Sequence, residues 1–413
     1  MRNVLGMVGL RRMFAVAMIV RAARSPKPSR MSKSPIDASR VHEFVEDLVG
    51  EDMHAKRVLS LGNAVVGVMH AASLSIHAIG EGLAASKELV VRRHSVKQVD
   101  RLLSNAKLDV WELFAIWVPY VLGQREEALI ALDWTDYAAD DHCTIAAYLI
   151  TSHGRATPLV WKTVEKSTLH KKRNDHEDAL LERLREVVPV GVQVTILADR
   201  AFGDKKLYGW LLEVGWHFAI RFRECIEVEV GDESKPAGAW LSQTGRARML
   251  RDAFVTKDRF PLPGVVVVHA PKMKEPWCIA TSRSDLNAGD VTKLYGRRFT
   301  IEESFRDTKD IRFGFGLSAT HVRNCDRRDR LLFIAALAEA LLKLLGAAGE
   351  AANLDRLLKT STSKKRQLSL LRQGLLWYQF LPGLREDRAQ ALMQEFERLI
   401  LAQPLFRHAF GVL

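Results

Sequence analysis

The sequence predicts an α/β fold, with a strand-and-helix core that carries a β-rich insertion and is flanked by helical N- and C-terminal regions. Three observations predict it. Apolar residues recur at helical spacing up to about residue 123. From Glu127 short apolar runs bounded by turn residues take over and alternate with amphipathic stretches. After about residue 288 the helical pattern returns and holds to the end.

Composition bounds the class. A chain of 413 residues exceeds one ordinary domain, and 47% hydrophobic with 27% charged residues describes a globular protein with a sizeable core. Lys and Arg number 61 against 49 Asp and Glu, a formal net charge of +12. That balance favours a polyanionic partner, DNA or RNA first, with a merely basic soluble protein as the plainer reading of charge alone. The four cysteines (Cys143, Cys225, Cys278, Cys325) are scattered, with neither a C-x-x-C pair nor histidines at zinc spacing, and read as reduced thiols of a cytosolic protein. No apolar run reaches the ~18–20 residues of a membrane span. The nearest, residues 333–345, contains Glu339 and Lys343 and is expected to form an amphipathic helix.

Residues 1–30 hold seven basic residues and no acid around a short apolar patch. A secretory signal and a DNA-contacting arm are both conceivable, and a disordered extension ahead of Met31 is the preferred reading. Residues 31–123 read as a helical DNA-binding region. Within it Ser95, with Gln98 three residues on, is expected to cap a helix whose Arg92, Arg93, Lys97 and Arg101 suit phosphates. A solvated helix face is the alternative there.

Residues 124–224 read as the first part of the core. The apolar run 128–132 ends in Asp133, and strand-like runs follow at 144–151 and 158–163. A helix at 175–187 leads to the buried strand 192–198, which ends in Asp199. A second helix (205–214) and strand (217–222) come next. Three strands followed by alternating helix and strand is the order of an RNase H-like domain. Residues 225–284 read as the β-rich insertion, 285–320 as the second part of the core with one long helix from about 288 to 310, and 321–413 as a C-terminal helical region, a candidate for dimerisation.

Chemistry concentrates at the strand ends and on that helix. Asp133 and Asp199 both close buried apolar runs, where the carboxyl ends of parallel strands gather ligands. On the helix, Tyr295, Arg298, Glu302 and Lys309 fall within one stripe at about 100° per residue, roughly 21 Å long. Glu303, Arg306 and Asp307 lie off the stripe and are expected to be solvated. Three carboxylates can hold two divalent ions, Mg²⁺ or Mn²⁺ by hardness, for metal-assisted phosphoryl transfer. Arg298 and Lys309 can clamp phosphates, and the Tyr295 hydroxyl can donate to one.

Tyr-x2-Arg-x3-Glu-x6-Lys, matched by Tyr295, Arg298, Glu302 and Lys309, resembles the signature of the IS-four family of DDE transposases of bacterial insertion sequences. Asp133-Trp134-Thr135, Asp199-Arg200 with Phe202, and His153-Gly154-Arg155-Ala156-x-Pro158-Leu159 also look like the family's. The likeness covers about residues 96–315. It implies an RNase H-like core with catalytic, metal-holding Asp133, Asp199 and Glu302, and cut-and-paste transposition on double-stranded DNA, acting at terminal inverted repeats and a target. It further implies a homodimer in the synaptic complex and Arg200, Tyr295, Arg298 and Lys309 in contact with DNA. Family members cleave through a hairpin with a flipped base stacked on a tryptophan, and Trp277 sits where that residue would be. A cytoplasmic, nucleoid-associated protein without membrane contact is the expectation.

Two rivals stay open. An RNase H-like nuclease or resolvase would share the acids without transposing, and a decayed DNA-binding repressor would bind ends without cutting them. Terminal repeats, target preference and host are not written in the chain.

Overall fold

A computed structural model describes residues 38–86, 91–360 and 362–401. The basic extension expected at residues 1–30 lies outside them. Helices α1 (Ala38–Val49), α2 (Ala55–Ala71), α3 (Ile76–Ser86), α4 (Arg92–Leu103) and α5 (Val110–Leu122) form the N-terminal region. α4 begins at Arg92 with Val91 as its N-cap and no side-chain cap. Ser95 lies inside the helix, buried, with its hydroxyl unpartnered, so the expected capping box is not formed.

The core sheet follows. Strands β1 (Glu127–Tyr137), β2 (His142–Ile150) and β3 (Ala156–Glu165) precede α6 (Arg173–Val187), β4 (Gln193–Ala198), α7 (Lys205–Glu213) and β5 (His217–Phe222). β6 (Glu227–Val230), β7 (Glu233–Pro236), β8 (Arg248–Val255), β9 (Phe260–Val268) and β10 (Trp277–Thr281) complete one ten-stranded sheet in the order β3-β2-β1-β4-β5-β10-β9-β8-β6-β7. The insertion is therefore an extension of the core sheet: β10 pairs antiparallel with β5, Cys278 opposite Phe222. β1–β4 and β4–β5 are the parallel pairs. Val194, Ile196, Leu197 and Ala198 are fully buried, as a strand covered on both faces requires, and helices pack on both sides of the sheet.

The helix expected from 288 to 310 is two. α8 (Ala288–Gly296) gives way to a 3-10 turn at Arg297–Phe299, and α9 (Thr300–Lys309) follows. The tighter turn changes the angle per residue, so the four signature residues do not share the single straight stripe drawn for them.

α10 (Cys325–Ala351), α11 (Leu370–Phe380) and α12 (Glu386–Leu401) close the chain. α10 was expected to be amphipathic and is instead buried on all sides. It is long and apolar enough to cross a membrane, yet that window lies wholly inside the fold. Glu339 and Lys343 are buried together with an Nζ–Oε2 distance of 3.0 Å, so the two charges neutralise each other within the core. The start of α10 grips the end of β1: Arg328 donates to His142 Nδ1 at 3.0 Å and lies over the Tyr137 ring at 3.9 Å.

Candidate active site

The site begins where β1 loses one neighbour. Its parallel pairing with β4 ends at Leu132 opposite Ala198, while its antiparallel pairing with β2 continues from Asp133 opposite Ala146 to Tyr137 opposite His142. Asp133 is thus inside the strand and not after it. Asp199, the residue that follows Ala198, turns away into a 3-10 turn (Arg200–Phe202) and accepts the Ala201 N–H at 2.8 Å. The divergence opens a notch at the sheet, with Asp133 and Asp199 at equivalent positions on strands about 4.8 Å apart.

Glu302 reaches the same notch from α9. Arg298, on the 3-10 turn, donates Nη1–H to Asp133 Oδ2 at 3.1 Å and Nη2–H to Glu302 Oε1 at 2.7 Å. Its side chain is 7% exposed, and its buried Nε–H has no partner. Burial, opposed by the Arg298 charge and reinforced by Asp199 and Glu302, pushes the Asp133 carboxyl up to about 6. Asp199 and Glu302 are thus near enough to Asp133 for their charges to disfavour its ionised form.

α9 is fixed on the sheet by polar contacts that its sequence partly hides. Ser304 Oγ accepts the Ala156 N–H at 2.6 Å. Thr308 donates to Glu339 of α10 at 3.1 Å. Phe305 packs edge-on against Tyr148, ring centroids 5.2 Å apart. Asp307, expected to be solvated, is buried and accepts Arg155 Nε–H at 2.7 Å. Arg306 is exposed and Glu303 half-buried, each pairing with the other.

Most of the remaining candidates beside the acids are engaged within the protein. Lys309 donates to the Asp136 carbonyl at 2.7 Å and to Thr135 Oγ1 at 3.1 Å, and burial lowers its pKa. Tyr295 is buried, and burial raises its phenol pKa. Trp277 opens β10 half-buried, its ring 5.0 Å from that of Tyr295 and 5.9 Å from that of Phe299. Arg200 donates to Glu275 at 3.0 Å, and Arg221 donates to the same carboxylate at 2.8 Å. On α4, Arg93, Lys97 and Arg101 are exposed, and Arg92 pairs with Glu81. No contact among the described residues joins that helix to the acids.

Sequence reasoning missed Glu177 and Phe299. Glu177 accepts the Trp134 indole N–H at 2.7 Å, and burial pushes its carboxyl up to about 7. A signal was present: Glu177 stands at helical spacing from Leu181 and Leu184, on the buried stripe of α6. An open cleft of about 680 Å³ runs from Asp133 and Trp134 past Glu302 to Lys309 and Ile311.

The donor chemistry suits a hard divalent cation: oxygen ligands, all carboxylates, converging on a cationic group that the guanidinium of Arg298 already supplies between Asp133 and Glu302. Among the described residues no three His, Cys, Asp or Glu side chains stand close enough together to hold a metal as they are. The residue types fit the ion, and Arg298 occupies the position between two of them.

Residues 160–340 match the family model of the transposase DDE domain, which supports a DDE transposase. The matched span includes Asp199, Trp277, Tyr295, Arg298, Glu302 and Lys309, while Asp133 lies ahead of it. No curated protein matches the chain.

Proposed function

We propose that this chain is the transposase of an IS-four-type bacterial insertion sequence, cutting double-stranded DNA at the element's terminal inverted repeats and joining the freed ends to a target. The observation that carries the reading is the clasp of Arg298 on both Asp133 and Glu302, with Asp133 and Asp199 directly following the last parallel pair, Leu132 and Ala198.

Asp133, Asp199 and Glu302 would hold Mg²⁺ or Mn²⁺, two ions by the requirements of phosphoryl transfer, which would activate the attacking oxygen and stabilise the leaving one. The chain's own groups do the rest. Arg298 offsets part of the negative charge that Asp133 and Glu302 bring to the site. Lys309 lines the same cleft and adds a cation, while Tyr295 lies buried behind Trp277 and supports its ring. The net charge of +12, with the exposed Arg93, Lys97 and Arg101 of α4, draws the DNA backbone without reading its sequence. Trp277, between two aromatic rings, offers a face for a flipped base. A homodimer in the synaptic complex and a cytoplasmic, nucleoid-associated location belong to the same reading.

The test is cleavage of linear DNA carrying the repeats that flank the gene, with Mg²⁺ or Mn²⁺. Nicking at the repeat boundary and strand transfer into a plasmid are expected. Asp133→Asn, Asp199→Asn and Glu302→Gln should each abolish cutting while retaining end binding. Cutting that persists in these variants ends the assignment, and cutting without joining favours the nuclease reading.

A further inference from the structure

β1 has an unsupported stretch at the point where the proposed chemistry needs it fixed. Beyond Leu132 the parallel partner is gone, and Asp133, Trp134 and Thr135 are held along one edge alone, by β2. Alternation along a strand sends Asp133 and Trp134 to opposite faces. Asp133 goes to the Arg298 side, where α9 lies, and Trp134 goes to α6. The indole lies under the Arg173 guanidinium, 4.9 Å from it, and its N–H donates to Glu177 Oε1 at 2.7 Å. Arg173 Nε is 3.4 Å from the same carboxylate one helical turn away. The backbone N–H of Trp134 donates in turn to Asp133 Oδ1 at 2.9 Å.

We infer that Glu177 is a positioning residue of the proposed cleavage reaction: by accepting the Trp134 indole N–H, it fixes the segment of β1 that carries Asp133. This rests on the functional reading above. The part-buried indole N–H is satisfied in the rotamer that reaches Glu177. That rotamer ties residue 134 to α6, and the Trp134 amide then fixes one oxygen of Asp133 while Arg298 fixes the other. Glu177 also lies within electrostatic reach of Asp199. α6 therefore supports the acid notch from the face opposite α9.

Two measurements test this, one without DNA. Backbone hydrogen exchange over residues 133–136 should rise in Glu177→Leu and stay at the wild-type level in Glu177→Gln, whose amide oxygen accepts the same N–H. With end DNA and Mn²⁺, Glu177→Leu should slow first-strand nicking at saturating DNA by about 10²-fold, the usual result of displacing a reacting group by about 1 Å, with end affinity unchanged. Trp134→Phe keeps an aromatic ring and deletes the donor, so Glu177→Leu added to Trp134→Phe should cost nothing further. Unchanged exchange in Glu177→Leu overturns the proposal, as does a Gln variant as impaired as Leu, or independent losses in the double variant. If the wild-type protein cuts no DNA, the functional reading falls and the exchange measurement still decides the clamp. Should Glu177→Leu not fold, Trp134→Phe alone, which deletes the donor, should raise exchange over residues 133–136, and unchanged exchange there overturns the proposal.

Discussion

Arg298 and Asp133 stand 165 residues apart in the chain, yet Nη1 of one lies 3.1 Å from Oδ2 of the other. The pair is nearly closed to water, with side-chain exposures of 7% and 17%. Arg298 therefore works as the counter-ion that keeps Asp133 ionisable, and Asp133 still titrates near 6 because burial outweighs that help.

The pH profile of cleavage should carry this. In the proposed reaction Asp133 must be deprotonated to take up a metal ion, so at subsaturating Mg²⁺ kcat/KM should fall as pH drops through about 6. Arg298→Leu removes the largest influence that lowers the Asp133 pKa, so the acid limb should move upward by roughly 1–3 pH units. Arg298→Lys should fall between, since a point charge cannot clasp two carboxylates as a planar fork does. An acid limb unmoved in Arg298→Leu would rule out the counter-ion role.

The second expectation concerns the seating of α9. Asp307 and Arg155 form a pair with side-chain exposures of 4% and 17%. Asp307→Ala leaves the largely buried guanidinium with only the longer ion pair to Glu303, at 3.5 Å, and should lower unfolding stability by up to about 3 kcal/mol in urea titration. Replacing both by apolar residues, Arg155→Met with Asp307→Leu, should recover most of that stability. Cleavage should not recover fully, because the pair also sets where Glu302 stands.

Much of this site was legible in the sequence, and the exceptions share one cause. Asp133 and Asp199 could be found because a strand buried on both faces is a continuous apolar run, and its polar end stands out. The strand 217–222 was placed to the residue for the same reason. Asp307 could not be placed, because what buries it is Arg155, 152 residues away, and no local periodicity encodes that contact. The 3-10 turn at Arg297–Phe299 has no Gly or Pro of its own to announce it. Ser95 looked like a cap because its neighbours fit the pattern, but the helix starts a turn earlier and the hydroxyl is buried. Local signals pointed to the strand ends that carry Asp133 and Asp199, and long-range partners decided which polar residues were inside.

Trp277 yields a third expectation. Its ring is half-buried, against Tyr295 and Phe299, and neither free nor enclosed. Trp277→Ala should slow hairpin formation or resolution far more than first-strand nicking, which precedes any need to extrude a base. A substrate lacking the base to be flipped should lessen the defect, because its unstacking cost is gone. Loss of the two ring contacts should cost about 0.5–1.5 kcal/mol each in a melting measurement. Equal slowing of nicking and hairpin steps would assign Trp277 to packing alone.

The fourth expectation is an acid-sensitive point outside the reaction. His153 is 6% exposed, and neither ring nitrogen has a partner. Burial, followed by the charges of Lys343, Arg366 and Arg155, holds its pKa down at about 3, against 6.5 ordinarily. The sign follows from linkage. The folded chain keeps His153 neutral while the unfolded chain protonates it, so its contribution is fully present above pH 6.5 and is lost as pH falls toward 3. At pH 4.5, two units below the ordinary value, the loss is about 3 kcal/mol at about 1.4 kcal/mol per unit. His153→Leu removes the titration and leaves no unpaired ring nitrogen, so the variant should match or exceed wild-type stability at pH 7. Carboxylates titrate in the same window, so the telling quantity is the difference between the two proteins in urea at pH 7 and at pH 4.5. That difference should grow by about 3 kcal/mol in the variant's favour on acidification. If the two proteins lose stability in parallel, His153 takes up its proton in the fold and is not the acid-sensitive group.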